Sequence, residues 1–294
     1  MRIAVLGASG VVGRALLPLL AGEHDVTAVS RRPRDRSGDG VGWVAADVTE
    51  RDELDGLFDG VDVVYHLVHS LGAKDFADRD RLAANAVAEA SESAGVRQIV
   101  YLGGLGDASK EGSLHLRSRA ETAERLASRS VPVTTLRSAI VVGDGSAAFE
   151  TIVALVDRLP VMLCPRWVRT RTQPIALQDV VRYLAGVAGR AEALERTFDV
   201  AGPEVMTCRN MILRVGDLRG RRPLIVEVPV LTPRLSSLWL HLVTPVQAGV
   251  ARELVDGLRT ETVAREDDIA TLVPFERTPF DEAVRTALPA RDAA

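Results

Sequence analysis

Residues 2–20 read RIAVLGASGVVGRALLPLL. Arg2–Leu6 is a short apolar run with strand character, Gly7-Ala8-Ser9-Gly10-Val11-Val12-Gly13 follows, and Val11–Leu20 carries helical spacing. Glycines in such a place permit a tight turn and let backbone N–H groups approach a pyrophosphate. The first turn of the helix adds the positive end of its dipole. A glycine triplet points this way only when a strand precedes it and a helix follows, as here. The bland alternative is a structural turn with no ligand. The same residues argue against a secretory leader, because Gly7, Gly10 and Gly13 interrupt the apolar run and Arg14 cuts it. No clean small-residue cleavage site follows, so a cytoplasmic protein is expected.

Working outward, short apolar runs alternate with helical periodicity. Strands are expected at Asp25–Ser30, Val41–Ala45, Val61–Leu67, Gln98–Leu102 and Val133–Arg137. Helices are expected from Thr49 to Gly60, through Leu82–Ala94, and over Leu114–Arg129. Val61–Leu67 is nearly continuous in its apolarity, as a strand buried on both faces requires. Strands alternating with helices imply a parallel sheet with crossover helices, which binds ligands at the carboxyl ends of its strands. The expected fold class is therefore α/β, a doubly wound (Rossmann) parallel sheet with a small, mostly helical C-terminal substrate lobe. Residues 1–143 and 173–201 would form the sheet domain. Within it, Gln173–Leu177 and Thr197–Val200 would add strands to the main sheet, with helix Asp179–Ala188 between them. Residues 144–172 and 202–294 would form the lobe.

The 294 residues suffice for about two structural units. Hydrophobic residues make up 47%, too many for a disordered chain. Aromatic residues are only 4% and the net charge is −4, so neither base-stacking platforms nor a basic surface for nucleic acid is expected. Cys164 and Cys208 are too few for a disulfide framework or a cysteine-rich zinc site. The longest uncharged stretch, Leu235–Ala251, is too polar and short to span a bilayer.

The strand ends hold the candidate binding residues. Ser30-Arg31-Arg32 stands where an NAD site usually carries an acid for the ribose hydroxyl. Arg31 and Arg32 suit the 2′-phosphate of NADP, which favours NADP over NAD; a solvated arginine pair is the alternative. Asp47-Val48 can accept from an adenine amino group and pack on its ring, or Asp47 can simply favour a helix N-terminus. His66 and His69 lack the cysteine or carboxylate company of a metal site, so no metal is expected. Trp167, flanked by Arg166 and Arg169, can stack on a planar or acidic ligand or pack in a hairpin.

Together, the Gly7–Gly13 spacing, Asp47-Val48, Val61–Leu67, Leu114–Leu126, Leu136–Gly143 and Gln173–Val180 resemble the short-chain dehydrogenase/reductase superfamily. The resemblance is to its atypical or extended branch, near the NmrA-like NAD(P)-binding proteins, and covers about two thirds of the chain. It implies that Leu67, Val68 and His69 lie beside the nicotinamide ribose. It also implies a catalytic Ser-Tyr-Lys set, from which this chain departs. In the matching register His115 stands at the tyrosine, Arg119 at the lysine, and glycine, at Gly103-Gly104, where the serine should end the strand. Arg119 can hold the ribose and supply positive charge but cannot lose its proton. His115 can exchange protons near neutrality, and a positive neighbour would lower its pKa.

The expected function is an NADPH-dependent reductase of a small apolar carbonyl, quinone or enone. Two alternatives remain open: an NADP(H)-sensing regulator without catalysis, and a scaffold stabilised by the cofactor. A small-molecule substrate is expected; the oligomeric state is not legible.

Overall fold

The computed structural model describes residues 1–32, 40–70, 73, 75–106, 109, 113–228 and 259–288. The apolar stretch Leu235–Ala251 lies outside them.

Seven parallel strands form the central sheet: β1 (Arg2–Leu6), β2 (Asp25–Ser30), β3 (Val41–Ala45), β4 (Val63–His66), β5 (Gln98–Gly104), β6 (Val133–Ser138) and β11 (Thr197–Val200). Their order is β11-β6-β5-β4-β1-β2-β3. The order reverses beside β1, which opens the crevice where such sheets take ligands. Every residue of β4 is buried, as its apolarity demands.

Side chains alternate across the sheet with the two-residue period of a strand. Ile3 and Val5 face α1 (Val11–Ala21) and α5 (Leu177–Val187), whose Leu16, Leu20, Val180 and Leu184 fill that layer. Ala4 and Leu6 face the opposite layer, built by α2 (Phe76–Ser93) and α3 (Leu114–Leu126). Each fully buried leucine contributes about 1.5–3 kcal/mol. The small residues Ala83, Ala84 and Ala90 give α2 close access to the sheet. Gln98, buried at the start of β5, donates to Thr134 Oγ1 (2.8 Å) and the Val187 carbonyl (3.1 Å). Its Oε1 accepts from Gly189 N–H (2.7 Å), so its polar atoms are satisfied by β6 and the end of α5.

A second core lies past the carboxyl end of β6. It packs Val142, Phe149, Ile152, Met162, Met211, Ile212, Ile225, Phe280 and Val284. These come from β7 (Val141–Val142), α4 (Ala147–Arg158), β8 (Val161–Cys164), α6 (Cys208–Leu218), β13 (Leu224–Glu227) and the helix Phe280–Ala287. A short antiparallel pair, β9 (Arg171–Thr172) with β12 (Met206–Thr207), leads into α6. Asp179, fully buried on α5, anchors the approach to the helix Phe280–Ala287 by accepting from Thr278 N–H (2.7 Å) and Thr278 Oγ1 (3.0 Å).

Two expectations are corrected. Between Thr49 and Gly60 there is only a 3-10 turn, Arg51–Leu54, and Gly56 and Gly60 take positive φ (72° and 70°). In that region glycine is favoured and a helix cannot continue. The segment Gln173–Leu177 adds no strand to the main sheet. Its strand β10 (Ile175–Ala176) pairs in parallel with β7 in a separate two-stranded sheet, while β11 takes the edge beside β6.

Candidate active site

The glycine loop is shaped by what a side chain would collide with. Gly7 has φ +81°, and its N–H and that of Ala8 donate to the Val29 carbonyl (3.1 and 3.2 Å). A Cβ on Gly13 would stand 2.6 Å from the Gly7 oxygen and 2.7 Å from Ala8 Cα. The loop thus folds tightly onto the first turn of α1, whose leading N–H groups have no intrahelical acceptor. This cradle fits the pyrophosphate of a dinucleotide.

A groove of about 510 Å³ runs from this loop. Gly7, Ser9 and Gly10 line it, with Arg31 after β2, Asp47 and Val48 after β3, and Leu67, Val68 and His69 after β4. Other expected residues stand elsewhere. Ala8 and Gly13 are buried beneath the loop, Val11 and Val12 are half-buried at the start of α1, and Arg32 is exposed outside the lining. Arg79 of α2, which the sequence reading missed, forms part of the opposite wall. It lies 3.9 Å from Asp47, whose Oδ1 accepts from Thr49 N–H (3.1 Å) and Thr49 Oγ1 (2.8 Å). Burial opposes ionisation of Asp47, but the Thr49 hydrogen bonds and the charges of Arg31 and Arg79 hold its pKa below the usual value.

A second cavity, about 310 Å³, opens at the carboxyl ends of β5 and β6 under α4 and α6. Its lining is mostly apolar and includes Leu105, Ile140, Ile152, Leu155, Trp167, Met211 and Ile212. Trp167 is therefore a cavity wall, while Arg169 donates to Glu227 (2.6 Å) and Arg166 is exposed. Gly104, where the resemblance leads one to expect a serine, is crowded: a Cβ there would stand 3.0 Å from Leu116 Cδ2.

Among the described residues the groove and the cavity share one, His69. His69 Nδ1 lies 2.7 Å from Asp80 Oδ2, and Asp80 Oδ1 accepts from Ser70 N–H at 2.9 Å. On its other side, His69 Nε2 lies 3.2 Å from His115 Nδ1. His115 and Arg119 stand one turn apart on α3, whose start is capped by Ser113 Oγ accepting from Leu116 N–H (3.2 Å). Both line the cavity. Arg119 does not line the groove. Its guanidinium lies over the Tyr101 ring (4.9 Å) and donates to the Leu102 carbonyl. His66, at the end of β4, is buried against Tyr101, and among the described residues neither of its ring nitrogens has a hydrogen-bond partner.

Burial first, then the charges of His69 and Arg119, push His115 down to about 3; Asp80 opposes this. Burial and Arg119 also hold His69 below its usual value against Asp80's pull. Asp80 is itself held low: burial would raise it, but its bonds to His69 and Ser70 and the Arg119 charge outweigh burial. The cavity wall therefore presents a neutral imidazole at neutral pH beside a fixed cation. Among the described residues no cluster of three or more His, Cys, Asp or Glu side chains could hold a metal, and no helix is long and apolar enough to cross a membrane.

Residues 7–141 match a family described as NAD(P)H-binding. The chain is 46% identical over 66 residues to an L-arabinose 1-dehydrogenase (NAD(P)(+)) of Haloferax volcanii. That stretch is 22% of this chain and 24% of the dehydrogenase, so the chain spans about a quarter of that relative. Among solved structures, the fold matches a nucleoside-diphosphate-sugar epimerase from Staphylococcus aureus with a TM-score of 0.79 at 15% identity, covering 97% of this chain and 100% of that one. It also matches an NADPH-dependent quinone oxidoreductase from Escherichia coli, complexed with NADPH, with a TM-score of 0.76 at 20% identity, covering 96% and 98%. At these identities the likeness establishes the α/β fold of NAD(P)-binding reductases and epimerases.

Proposed function

We propose that this chain, whose residues 7–141 match a family described as NAD(P)H-binding, is an atypical short-chain dehydrogenase/reductase that acts as an NADPH-dependent reductase of a small apolar carbonyl, quinone or enone. The observation that carries the reading is the meeting of a dinucleotide groove and an apolar cavity at His69, with His115 and Arg119 on the cavity wall.

In this reading, Gly7–Gly13 and the first turn of α1 hold the pyrophosphate, and Asp47 and Val48 hold the adenine. Arg31 holds the 2′-phosphate, helped by Arg79 across the groove and by the neighbouring Arg32, so NADP is preferred to NAD. Leu67, Val68 and His69 border the nicotinamide ribose. Residues 1–143 and 173–201 serve the cofactor; residues 144–172 and 202–294 form the lobe that covers the substrate.

Bound NADPH supplies a hydride. The chain's own residues then have three tasks. The apolar wall of α4 and α6 excludes water, which strengthens every charge interaction inside the cavity. Arg119 gives one N–H to Leu102 and keeps further donors for the acceptor oxygen as negative charge develops there. His115 exchanges a proton at that oxygen, the task performed elsewhere in the superfamily by tyrosine.

The lining also speaks against a nucleotide-sugar substrate. Among the described residues Arg119 is the sole arginine or lysine in the cavity wall, and part of its guanidinium is already engaged by Leu102. A diphosphate would find no cationic clamp there.

The test is a fluorescence titration with NADPH, NADP⁺, NADH and NAD⁺, then an assay of NADPH oxidation with menadione, 2-cyclohexenone and an aromatic aldehyde. Tight NADP(H) binding with turnover of at least one acceptor is expected. Binding with no turnover would favour the sensing regulator, and failure to bind any of the four nucleotides would overturn the reading altogether.

A further inference from the structure

We infer that Asp80, His69 and His115 act as a single proton relay, in which His115 delivers a proton to a substrate oxygen in the apolar cavity while Asp80 and His69 position and reload it. This inference rests on the reductase reading above and adds to it the route by which the proton arrives.

The geometry constrains the protons. An ionised carboxylate only accepts hydrogen bonds, so Asp80 Oδ2, 2.7 Å from His69 Nδ1, keeps a proton on that nitrogen. The second oxygen is occupied by Ser70 N–H (2.9 Å), and the carboxylate is 2% exposed, so its orientation is fixed. His69 Nε2 then has His115 Nδ1 as its partner at 3.2 Å. With Nδ1 engaged, Nε2 is the nitrogen His115 can offer to the cavity it lines.

In the loaded state His69 is protonated on both nitrogens and hydrogen-bonded to Asp80, and His115 is neutral with its proton on Nε2. As hydride adds to the substrate carbon, the carbonyl oxygen takes the Nε2 proton of His115. The N–H bond of His69 Nε2 breaks and one forms at His115 Nδ1. The relay ends one proton poorer: Asp80 is still ionised, His69 is neutral with Nδ1–H, and His115 is neutral with Nδ1–H. After the alcohol leaves, a solvent proton enters at His115 Nε2 and the shared proton returns to His69. Neither imidazole passes through an anionic form.

Several groups bias this pair. Asp80 on α2 favours the loaded state. Arg119 on α3 opposes it, and His66 on β4 opposes it when protonated. Because burial and Arg119 hold both rings below the ordinary imidazole value, loading requires mildly acidic solvent or the developing charge of the substrate oxyanion. Asp80 is then the group that keeps loading within reach.

The test uses the full chain with ¹⁵N-labelled histidine, followed by NMR from neutral to mildly acidic pH, and with steady-state reduction of menadione by NADPH. His69 and His115 should titrate together as one shared proton, and Asp80→Asn should move that step to lower pH. The amide oxygen introduced by Asp80→Asn can still accept from Ser70 N–H, and an unchanged NADPH affinity would show that the site is intact. Asp80→Asn and His69→Gln should each lower kcat by about tenfold or more, as positioning residues short of the roughly 10²–10⁴-fold of the general acid itself, and leave KM within about twofold. Independent titration of the two rings, unmoved by Asp80→Asn, would overturn the relay whether or not menadione is reduced. Turnover that falls in His115→Gln but persists in Asp80→Asn and His69→Gln would overturn the relay and leave the reductase reading standing. A coupled titration without turnover of any acceptor would overturn the reductase reading and, with it, delivery to substrate.

Discussion

Gly13→Ala tests the glycine loop directly. Its new methyl carbon would lie 2.6 Å from the Gly7 oxygen, 2.7 Å from Ala8 Cα and 2.9 Å from the Ala8 carbonyl carbon. All three are main-chain atoms, so no side chain can rotate away and the loop itself must lift from α1. Overpacking of this kind costs about 1–3 kcal/mol. If the loop moves to relieve it, the cost falls on the pyrophosphate site, and at ~1.4 kcal/mol per decade NADPH binds about 5- to 150-fold more weakly. If the loop stays, the same cost lowers the unfolding free energy. Fluorescence titration with NADPH and denaturant unfolding together separate the two. Gly22→Ala is the internal control: Gly22 has φ −67°, and a Cβ there meets nothing nearer than 3.9 Å. It should be neutral or stabilise by about 0.4–1 kcal/mol. A Gly13→Ala protein with wild-type affinity and wild-type stability would refute the reasoning.

Other substitutions probe other walls of the site. Arg31→Ala should weaken NADPH about 10- to 100-fold, from lost charged hydrogen bonds of about 1.5–3 kcal/mol, and leave NADH nearly unaffected; Arg32→Ala, outside the groove lining, should do less in the same titration. Gly104→Ser should cost about 1 kcal/mol in denaturant unfolding, because Leu116 Cδ2 at 3.0 Å from the added Cβ must turn aside. Asp179→Ala should cost about 1–3 kcal/mol by leaving the Thr278 N–H unpaired in a buried site, read from the same transition. Acid should destabilise the protein through His115 and His66. Their folded pKa values, pushed by burial to about 3 and about 4, lie below the unfolded one, so the unfolded chain binds more protons and stability falls as pH drops below ~6.5. His115→Gln should flatten that slope; an unchanged slope would rule His115 out as a source.

What the sequence disclosed depended on how local the cause was. The Gly7–Gly13 turn was legible because its demand is on the backbone, and only glycine meets it. The inner strands β1, β4 and β5 were legible because burial on both faces imposes a nearly continuous apolar run, whereas the edge strand β3 buries none of its residues. The segment after Thr49 misled because its acids imitate a helix start, whereas Gly56 and Gly60 break the backbone within one turn. The pairing of Ile175–Ala176 depends on a partner 34 residues away and has no local signature. Arg79 and Asp80 look like ordinary helix-surface charges in the run 77–81. Yet Phe76, Asp80, Ala83, Ala84 and Val87 fall at helical spacing on one buried face. A carboxylate within an apolar stripe was the available signal, and it went unread because nothing local names its partner, His69.

The second core has a consequence for how the polypeptide acquires its shape. The central sheet needs nothing later than Val200 to complete its seven strands. The core beside it joins Val142 and Phe149 to Phe280, Val284 and Ala287, nearly the whole remaining length of sequence apart. During synthesis from the N-terminus, the sheet can consolidate while α6, β7 and β10 still wait for the helix Phe280–Ala287 that packs on them. Closing so long a loop is slow relative to the local pairing of neighbouring strands. The outer support of α6, one wall of the cavity, is therefore the last part of this core that the growing chain can supply, and until then the apolar side chains that Phe280 and Val284 cover stay open to solvent.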